Sequence, residues 1–257
     1  MRRRPRIIPT LLIDKGNLVK TKQFKKPNYL GDPINAIRIF NEKGVDELSI
    51  LDISVSKDKG VINYDLLQRM ATEAFMPLSY GGGISSMDEI KHILALGFEK
   101  VIINSQFYQN PELIKQASEY IGSQSIVVSI DYKKRFLGKG CYSNDGTIRQ
   151  RKSPSEIAKE AQNFGAGEIL LYSIDNDGMR CGFDIDTIRE VSENVDIPIV
   201  ACGGANDIHS IKQALSLGKA DAVAAGSMFV YYGKRDAVLI NFPSEGDFFK
   251  EGIYENE

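Results

Sequence analysis

The chain has 257 residues, of which 42% are hydrophobic and 26% are charged, as in ordinary soluble globular proteins. Lys and Arg number 32 against 34 Asp and Glu, so the charge balance excludes a strong field for a nucleic-acid or membrane partner. We expect one domain over 1–257, because this length is within the range of a single domain. We also expect a cytoplasmic protein, because the apolar runs stay well short of the roughly 20 residues of a membrane span and the N-terminus shows no signal-peptide pattern.

Cysteine and histidine offer little material for metal or nucleophilic chemistry. Cys141, Cys181 and Cys202 are odd in number and far apart, which argues against a disulfide framework and against metal-ligand spacing. His92 and His209 both lie in helical patterns, where a surface histidine is the usual interpretation. We therefore predict no metal and no cofactor.

Short apolar runs alternate with amphipathic segments along the whole chain. The predicted strands are 7–13, 47–53, 77–81, 100–104, 125–131, 168–174, 198–202 and 220–226. The predicted helices between them are 32–44, 63–74, 85–97, 111–122, 153–165 and 184–195. This alternation is typical of a parallel sheet, and eight strands are the number at which such a sheet closes into a (β/α)8 TIM barrel.

The two halves of the chain, about 1–122 and 123–257, resemble each other. GVDELSILDIS (44–54) followed by PLSYGGGI (77–84) has a counterpart in GAGEILLYSID (165–175) followed by PIVACGGA (198–205). A common offset of about 121 residues between both pairs indicates an internal half-barrel repeat. The alternative is that all βα units look alike.

Glycines and serines at the predicted strand ends indicate phosphate binding. Glycine lets backbone N–H groups approach an anion, and a following serine adds a hydroxyl donor. The predicted phosphate-binding residues are Gly83, Asn104 and Ser105 in the first half, and Gly203, Gly204, Gly226 and Ser227 in the second. Two matched sites predict a substrate that carries phosphate at both ends, whereas the alternative is that the glycines only ease packing.

Carboxylates are the second group at the strand ends. Asp131 ends the fifth strand, and Asp175 and Asp177 follow the sixth in SIDNDG (173–178). Crowded carboxylates raise one another's pKa and supply acid and base groups near neutral pH. A metal site is the less favoured interpretation.

These motifs together resemble the cyclase subunit of imidazole glycerol phosphate synthase. The resemblance is carried by RIIPTLLIDKGNLVK (6–20), DELSILDIS (46–54), VVSIDYK (127–133), GAGEILLYSIDNDGMRCGFD (165–184) and ACGGA (201–205). In that family, a separate glutaminase subunit, a class I glutamine amidotransferase, releases ammonia that passes up the barrel to a phosphoribulosyl substrate. The resemblance therefore implies a glutaminase partner at the N-terminal face and a phosphorylated small-molecule substrate.

The resemblance also implies an ammonia gate at the N-terminal end of the barrel. The family's four charged gate residues map onto Arg6, Glu47, Lys100 and Glu168, and all four keep their charges. Glu99 keeps the acidic side chain that the family directs toward its glutaminase. A ring that only stabilises the barrel is the alternative, although a buried ion network stabilises weakly by itself.

One catalytic position departs from the family. The family's two catalytic aspartates map onto Asp131 and onto Leu12, which cannot exchange a proton. Asp14 lies two residues on, and the basic residue of the loop after the first strand is kept as Lys20. The predicted catalytic set is Asp131, Asp14, Lys20 and Asp177.

The C-terminal segment 229–253 is the second departure, because an extended apolar run, AVLINFP, stands where the family has a regular helix. This segment resembles paralogues associated with surface-polysaccharide amidation, which implies delivery of ammonia to a sugar amidotransferase. Two alternatives stay open: a histidine-pathway cyclase that makes imidazole glycerol phosphate and AICAR, and a non-catalytic scaffold that activates the glutaminase.

Overall fold

The short aliphatic and β-branched runs form strands, and the amphipathic segments form helices around them. The computed structural model describes residues 4–58, 60–136, 138–233 and 235–254. The strands are β1 (Arg6–Asp14), β2 (Asn17–Lys22), β3 (Lys25–Gly31), β4 (Leu48–Asp52), β5 (Leu78–Gly81), β6 (Lys100–Ile103), β7 (Ile126–Lys134), β8 (Lys139–Ser143), β9 (Ile148–Arg149), β10 (Glu168–Ser173), β11 (Ile199–Cys202), β12 (Ala222–Ala225), β13 (Tyr231–Tyr232) and β14 (Ala237–Val238). The helices are α1 (Pro33–Lys43), α2 (Ile53–Asp58), α3 (Tyr64–Glu73), α4 (Met87–Ala95), α5 (Ser105–Gln109), α6 (Glu112–Ile121), α7 (Pro154–Asn163), α8 (Ile185–Ser192), α9 (Ile208–Ser216), α10 (Ser227–Val230) and α11 (Glu245–Glu251), with a 3-10 turn at Ser123–Ser125.

Eight of these strands close on themselves as a parallel barrel. Their order is β10-β11-β12-β1-β4-β5-β6-β7, and β7 pairs with β10 to complete the ring. The predicted (β/α)8 barrel is therefore confirmed, and each barrel strand begins within two residues of its predicted start. The half-barrel repeat and the single-domain boundaries stay predictions.

Local sequence explains where the barrel helices begin and end. Asp32 caps α1 by accepting a hydrogen bond from the Ile34 N–H, and Gly44 ends it in the left-handed conformation. Ser86 with Glu89 begins α4 through a capping box. Because these signals are local in the chain, helices such as α1 and α4 can be predicted from the sequence alone.

Side chains alternate between two cores along each barrel strand. On β1, Ile7 and Leu11 pack outward against the helices, whereas Ile8 faces the barrel interior. The buried members of the inner core are Ile8, Ile102, Val127, Leu170, Tyr172, Val200, Cys202, Ala222 and Ala224. Among the inward-facing side chains, those at the N-terminal end of the barrel form a charged layer, and those at the C-terminal end line a polar cavity.

Two antiparallel additions extend the barrel at the C-terminal ends of its strands. The strands β2 and β3 follow β1 as a hairpin, and β8 and β9 follow β7. Lys15 and Gly16 turn β1 into β2 with positive φ angles. These strands were not predicted from the sequence, because they are short and β3 carries a proline.

The C-terminal segment contains more regular structure than its sequence indicated. The extended run contributes only the two-residue strand β14, which pairs with β13, and a helix, α11, follows and packs against α9. Asp236 in the β13–β14 hairpin forms ion pairs with Arg180 and Lys22 near the barrel mouth. Among the described residues, we find no helix with the length and apolar character that crossing a bilayer requires.

Candidate active site at the barrel mouth

Four charged side chains close the N-terminal end of the barrel interior. Lys100 Nζ lies 3.0 Å from Glu47 Oε2 and 2.8 Å from Glu168 Oε2. Arg6 Nη1 lies 2.6 Å from Glu47 Oε2, and Arg6 Nη2 contacts Glu168. The structure therefore brings all four predicted gate residues into one ring of alternating charge.

The two acids of this ring are almost fully buried, whereas Arg6 and Lys100 reach solvent with part of their side chains. Burial alone would lower the pKa of Arg6, but Glu168 and Glu47 raise it above its ordinary value. Arg6 therefore keeps its charge, and its contacts with both acids hold the ring closed in this conformation. Glu99 is exposed next to Lys100 in the chain, at the same end of the barrel.

A cavity of about 470 Å³ opens at the opposite, C-terminal end. This is the end at which α/β barrels carry their active sites. Its apolar lining includes Leu12, Phe24, Leu51, Ile102 and Tyr172. Its polar lining includes Thr21, Asp52, Ser56, Asn104, Ser105, Ser129, Asp131, Asn144 and Asp145, and the glycine run 81–83 forms one side.

Asp131 is the buried acid of this cavity. Its carboxylate accepts a hydrogen bond of 2.8 Å from the Ser129 hydroxyl. Burial raises the pKa of Asp131 to about 7, with further increases from Asp145 and Asp177, while the Ser129 hydrogen bond opposes the rise. A carboxyl group with this pKa exchanges protons near neutral pH, as a general acid or base must.

Leu12 lies in the same cavity and is only 3% exposed. Leu51 is its neighbour across the β1–β4 pair, so this side of the cavity floor is apolar. Asp14 ends β1 at the turn into β2 and is not among the described residues that line the cavity. The structure therefore does not bring Asp14 to Asp131 in the way that the catalytic prediction requires.

Asp177 is engaged by hydrogen bonds from three directions. The Thr21 hydroxyl donates to its Oδ2 at 2.7 Å, the Phe24 N–H donates to Oδ2 at 3.2 Å, and the Tyr172 hydroxyl donates to Oδ1 at 2.8 Å. Thr21 and Phe24 belong to the β2–β3 hairpin and its turn. In this conformation Asp177 therefore anchors the hairpin to the mouth.

The predicted phosphate residues of the second half gather in a smaller cleft beside the cavity. The amine of Lys20 lies so close to Gly226 that a Cβ at position 226 would collide with it. Gly203 and Gly204 line the same cleft with positive φ angles, and the Ser227 hydroxyl is buried without a hydrogen-bond partner among the described residues. A lysine amine and a free hydroxyl donor suit an anion.

The predicted phosphate residues of the first half lie in the large cavity and already have partners. The Gly83 N–H donates to Ser56 Oγ at 3.2 Å, and Ser105 Oγ accepts the Asn144 N–H at 2.9 Å. Asn104 donates its amide to the Ser129 carbonyl at 3.0 Å. The two halves thus carry similar motifs. The polar groups of the first half already have hydrogen-bond partners, whereas the Ser227 hydroxyl of the second half has none among the described residues.

Sequence reasoning missed three residues that shape the mouth. Tyr172 lines both the cavity and the smaller cleft, Phe24 packs edge-on against it with ring centroids 4.9 Å apart, and Arg180 lines the cleft. Tyr172 was detectable, because it is the last inward-facing position of β10, two residues after Leu170 of the inner core. Phe24 was not, because its position depends on how the hairpin folds back.

Comparison with known proteins supports the fold and the motifs together. The family described as Histidine biosynthesis protein matches residues 6–236. A Leptospira interrogans protein described as "Putative imidazole glycerol phosphate synthase subunit HisF" is 44% identical over 253 residues, 98% of this chain and 99% of that protein.

Two further relatives bear related descriptions, subunit hisF2 in Pseudomonas aeruginosa and subunit hisF3 in Vibrio vulnificus. The first is 47% identical over 93% of this chain and 96% of its own length, and the second is 44% identical over 95% of each. The match to the family over most of the chain and these near full-length identities agree with the barrel found here. The chain therefore belongs to the histidine biosynthesis protein family, among its HisF-like imidazole glycerol phosphate synthase subunits.

Proposed function

We propose that this barrel receives ammonia from a class I glutaminase bound at its N-terminal face and releases or uses it at the mouth. The observation that carries the proposal is the ring of Arg6, Glu47, Lys100 and Glu168 at the end of the interior opposite Asp131. A ring of long, partly solvated side chains is able to open, whereas a plug of packed aromatic side chains would not. Glu99, exposed beside the ring, supplies an acidic contact for the glutaminase.

At the mouth, Asp131 is the group that handles protons. Its pKa of about 7 lets it accept a proton from an ammonium ion or from an attacking amine at neutral pH. Ser129 keeps the carboxylate oriented through its hydroxyl. The phosphorylated ligand is held by Lys20 and Ser227 in the smaller cleft. We assign these roles by the positions of the side chains and by their partners.

For the acceptor of the ammonia, we favour amidation of a surface-polysaccharide sugar by a separate amidotransferase. Leu12 supports this assignment, because ring closure to an imidazole needs a second acid or base opposite Asp131 and a leucine provides none. Loss of a general acid or base costs about 10² to 10⁴ in rate. Ammonia delivery needs the passage and not the second carboxylate.

The histidine-pathway cyclase is the second candidate, and the family membership of the chain favours it. The deciding experiment supplies the purified chain with an ammonium salt and the phosphoribulosyl substrate, and measures imidazole glycerol phosphate by mass spectrometry. We expect a rate at least about 100-fold below that of a cyclase with both aspartates. Product at the rate of such a cyclase would establish the histidine-pathway function instead.

The glutaminase partnership has its own test. The chain is co-expressed with a class I glutaminase of the same genome, and glutamine hydrolysis is measured for the glutaminase alone and for the pair. We expect co-purification and faster hydrolysis in the pair. If the chain is a pure scaffold that only activates the glutaminase, Asp131→Asn should change nothing in the pair. If the chain uses the ammonia, Asp131→Asn should keep the stimulation of glutamine hydrolysis but abolish the use of ammonia.

A further inference from the structure

Two hydroxyl groups in the barrel wall have no hydrogen-bond partner among the described residues. They belong to Thr10 on β1 and Ser49 on β4, which are 2% and 3% exposed. The two residues lie opposite each other in the parallel β1–β4 pair. A buried hydroxyl without a partner is costly, so two of them side by side indicate a site for a molecule that forms hydrogen bonds.

The alternation of side chains along the strands directs both hydroxyls into the barrel interior. Thr10 precedes Leu12, which lines the mouth cavity, by two residues. Ser49 stands midway between Glu47 of the charged ring and Leu51 of the cavity floor. Because inward positions recur at every second residue of a strand, the two hydroxyls lie between the ring and the floor of the cavity.

Small side chains line the interior next to these hydroxyls, and branched aliphatic side chains line the opposite half. On the strands that flank the β1–β4 pair, the inward-facing residues near the two hydroxyls are Ser79 of β5 and Ala222 and Ala224 of β12. The other four barrel strands contribute Ile102, Val127, Leu170 and Val200. Bulky side chains fill the half on which they stand, whereas small ones leave room. We therefore expect a passage along the interior to run beside β1 and β4.

The chemistry of this position fits a small neutral molecule that both donates and accepts hydrogen bonds. Each hydroxyl is able to donate one hydrogen bond and to accept others. Neighbouring strands lie about 5 Å apart, so one atom about 3 Å from each oxygen bridges both hydroxyls. A cation is disfavoured, because Glu47, the acid at the next inward position of β4, already binds Lys100 and Arg6.

We propose that Thr10 and Ser49 form a buried site for neutral ammonia, which exchanges there with water between the charged ring and the mouth. The identity of the molecule rests on the proposed function, in which ammonia crosses the barrel. Ammonia accepts a hydrogen bond through its lone pair and donates through its N–H bonds, so it serves one hydroxyl as acceptor and the other as donor. The site holds ammonia without protonating it, and the acid that handles protons, Asp131, lies at the mouth.

The first test is a methyl NMR titration of the full chain with ammonium chloride, observed at the γ-methyl group of Thr10. We expect this signal to shift at a pH above the pKa of ammonium, where ammonia is neutral, and not at neutral pH. Sodium chloride at the same high pH controls for ionic strength and for the titration of Asp131. The methyl group of Thr147, in an exposed turn, is the internal control. A Thr10 signal that responds to ammonia at neither pH would overturn the proposal.

A nearly isosteric variant tests whether the hydroxyls hold the molecule. Ser49→Ala should weaken ammonia binding, observed at the Thr10 methyl group, by about 10-fold, since it removes one of the two hydroxyls. Ser192→Ala is the matched control, because the Ser192 hydroxyl is also buried without a partner among the described residues but belongs to α8, outside the barrel. Equal binding by Ser49→Ala and wild type would contradict the assigned site.

Urea unfolding in buffer without ammonia gives a second, independent measure. Thr10→Val and Ser49→Ala should each lower the urea midpoint, because each removes a bond to the bound water. The double variant should fall by less than the sum, because both hydroxyls share one molecule. If the hydroxyls bind nothing, both variants should instead raise the midpoint, since each removes a buried polar group that bonds to nothing. That result would overturn the proposal.

These outcomes are separate from the partnership with a glutaminase. A Thr10 signal that responds to ammonia, together with no co-purifying glutaminase, would establish the site and overturn the proposed function. A stimulated glutaminase together with a silent Thr10 signal would leave the proposed function intact and overturn only this site. Circular dichroism of each variant establishes that a loss of binding is not a loss of folding.

Discussion

The raised pKa of Asp131 makes the stability of the barrel depend on pH. Its pKa in the folded chain, about 7, lies above the ordinary value of an exposed aspartate, near 3.9. Between these two pH values the folded chain holds a proton that the unfolded chain has lost. Asp131 therefore contributes stability that is present below about pH 4 and is lost as the pH rises to about 7.

We predict that Asp131→Asn makes the barrel more stable relative to wild type as the pH rises. The amide has no charge to bury, so the gain at pH 8 compared with pH 4 should reach about 2–4 kcal/mol. Urea unfolding of both proteins across this pH range measures the difference. A stability difference that is the same at both pH values would show that Asp131 titrates normally.

Ser129→Ala is the matched variant for this measurement. The Ser129 hydroxyl donates to the Asp131 carboxylate and thereby favours its charged form. Removing the hydroxyl should raise the pKa of Asp131 above about 7, which carbon-detected NMR of the carboxyl group follows directly. A pKa that falls in Ser129→Ala would contradict the assigned direction of the hydrogen bond.

Leu12 is the other residue whose replacement is informative. We predict that Leu12→Asp destabilises the barrel by about 1–3 kcal/mol, because a carboxyl group then replaces an apolar side chain at a site only 3% exposed. The new carboxylate should also raise the pKa of Asp131 further through like-charge repulsion. Leu12→Asn, which is polar but uncharged, should show the stability loss without the pKa change. Equal pKa values in both variants would place residue 12 too far from Asp131 to act with it.

At the scale of secondary structure, the β2–β3 hairpin is held over the mouth by hydrogen bonds to Asp177. Asp177 accepts hydrogen bonds from Thr21 and Phe24, and the Gln23 N–H donates to the Asp177 carbonyl at 2.9 Å. The hairpin otherwise leaves most of β3 exposed. The contacts to Asp177 therefore add to the pairing of β2 with β1 in holding the hairpin over the mouth.

We predict that Thr21→Val loosens this hairpin without unfolding the barrel. Valine keeps the shape of threonine but removes one of the two donors to Asp177 Oδ2 and leaves only the Phe24 N–H, at a cost of about 1–3 kcal/mol. Amide hydrogen exchange across 17–31 should accelerate, while exchange in the barrel strands stays unchanged. Thr147→Val, in a turn between β8 and β9, is the control. Exchange that accelerates throughout the barrel would mean that Thr21 supports the whole fold.

For the whole molecule, the charged ring at the N-terminal end couples the barrel to its proposed partner. We predict that Lys100→Met separates glutamine hydrolysis from ammonia use in the complex with the glutaminase. Removing one cation leaves Glu47 and Glu168 with Arg6 alone, so the passage loses its closure. The measurement is the ratio of glutamate formed to amidated product.

Externally added ammonia provides the control for this variant. The ring lies at the opposite end of the barrel from the cavity, so use of added ammonia should be unaffected by Lys100→Met. Equal losses with glutamine and with ammonia would instead assign the ring to stability alone. Removing one partner of a buried ion network costs about 3–5 kcal/mol, and a loss of stability of this size would lower both activities equally.

The amino-acid sequence by itself determined the barrel and six of the helices around it, whereas the four residues of the charged ring came from the resemblance to the family. The barrel and these helices depend on signals that are local in the chain: apolar runs of strand length and helix caps such as Ser86 with Glu89. Closing eight such strands into a ring necessarily gathers their first residues at one end and their last residues at the other. Asp131 and Leu12 were therefore assigned to the mouth correctly.

Only the tertiary structure decided which polar groups at the mouth are free to bind a ligand. Ser105 and Ser227 occupy equivalent motifs. The Asn144 N–H, from a loop 39 residues away, donates to the Ser105 hydroxyl, whereas the Ser227 hydroxyl has no hydrogen-bond partner among the described residues. Asp177, predicted to be catalytic, accepts hydrogen bonds from Thr21, 156 residues away in the chain. Hydrogen-bond satisfaction depends on such distant partners, because each donor and acceptor is used by whichever group the folded chain brings within about 3 Å.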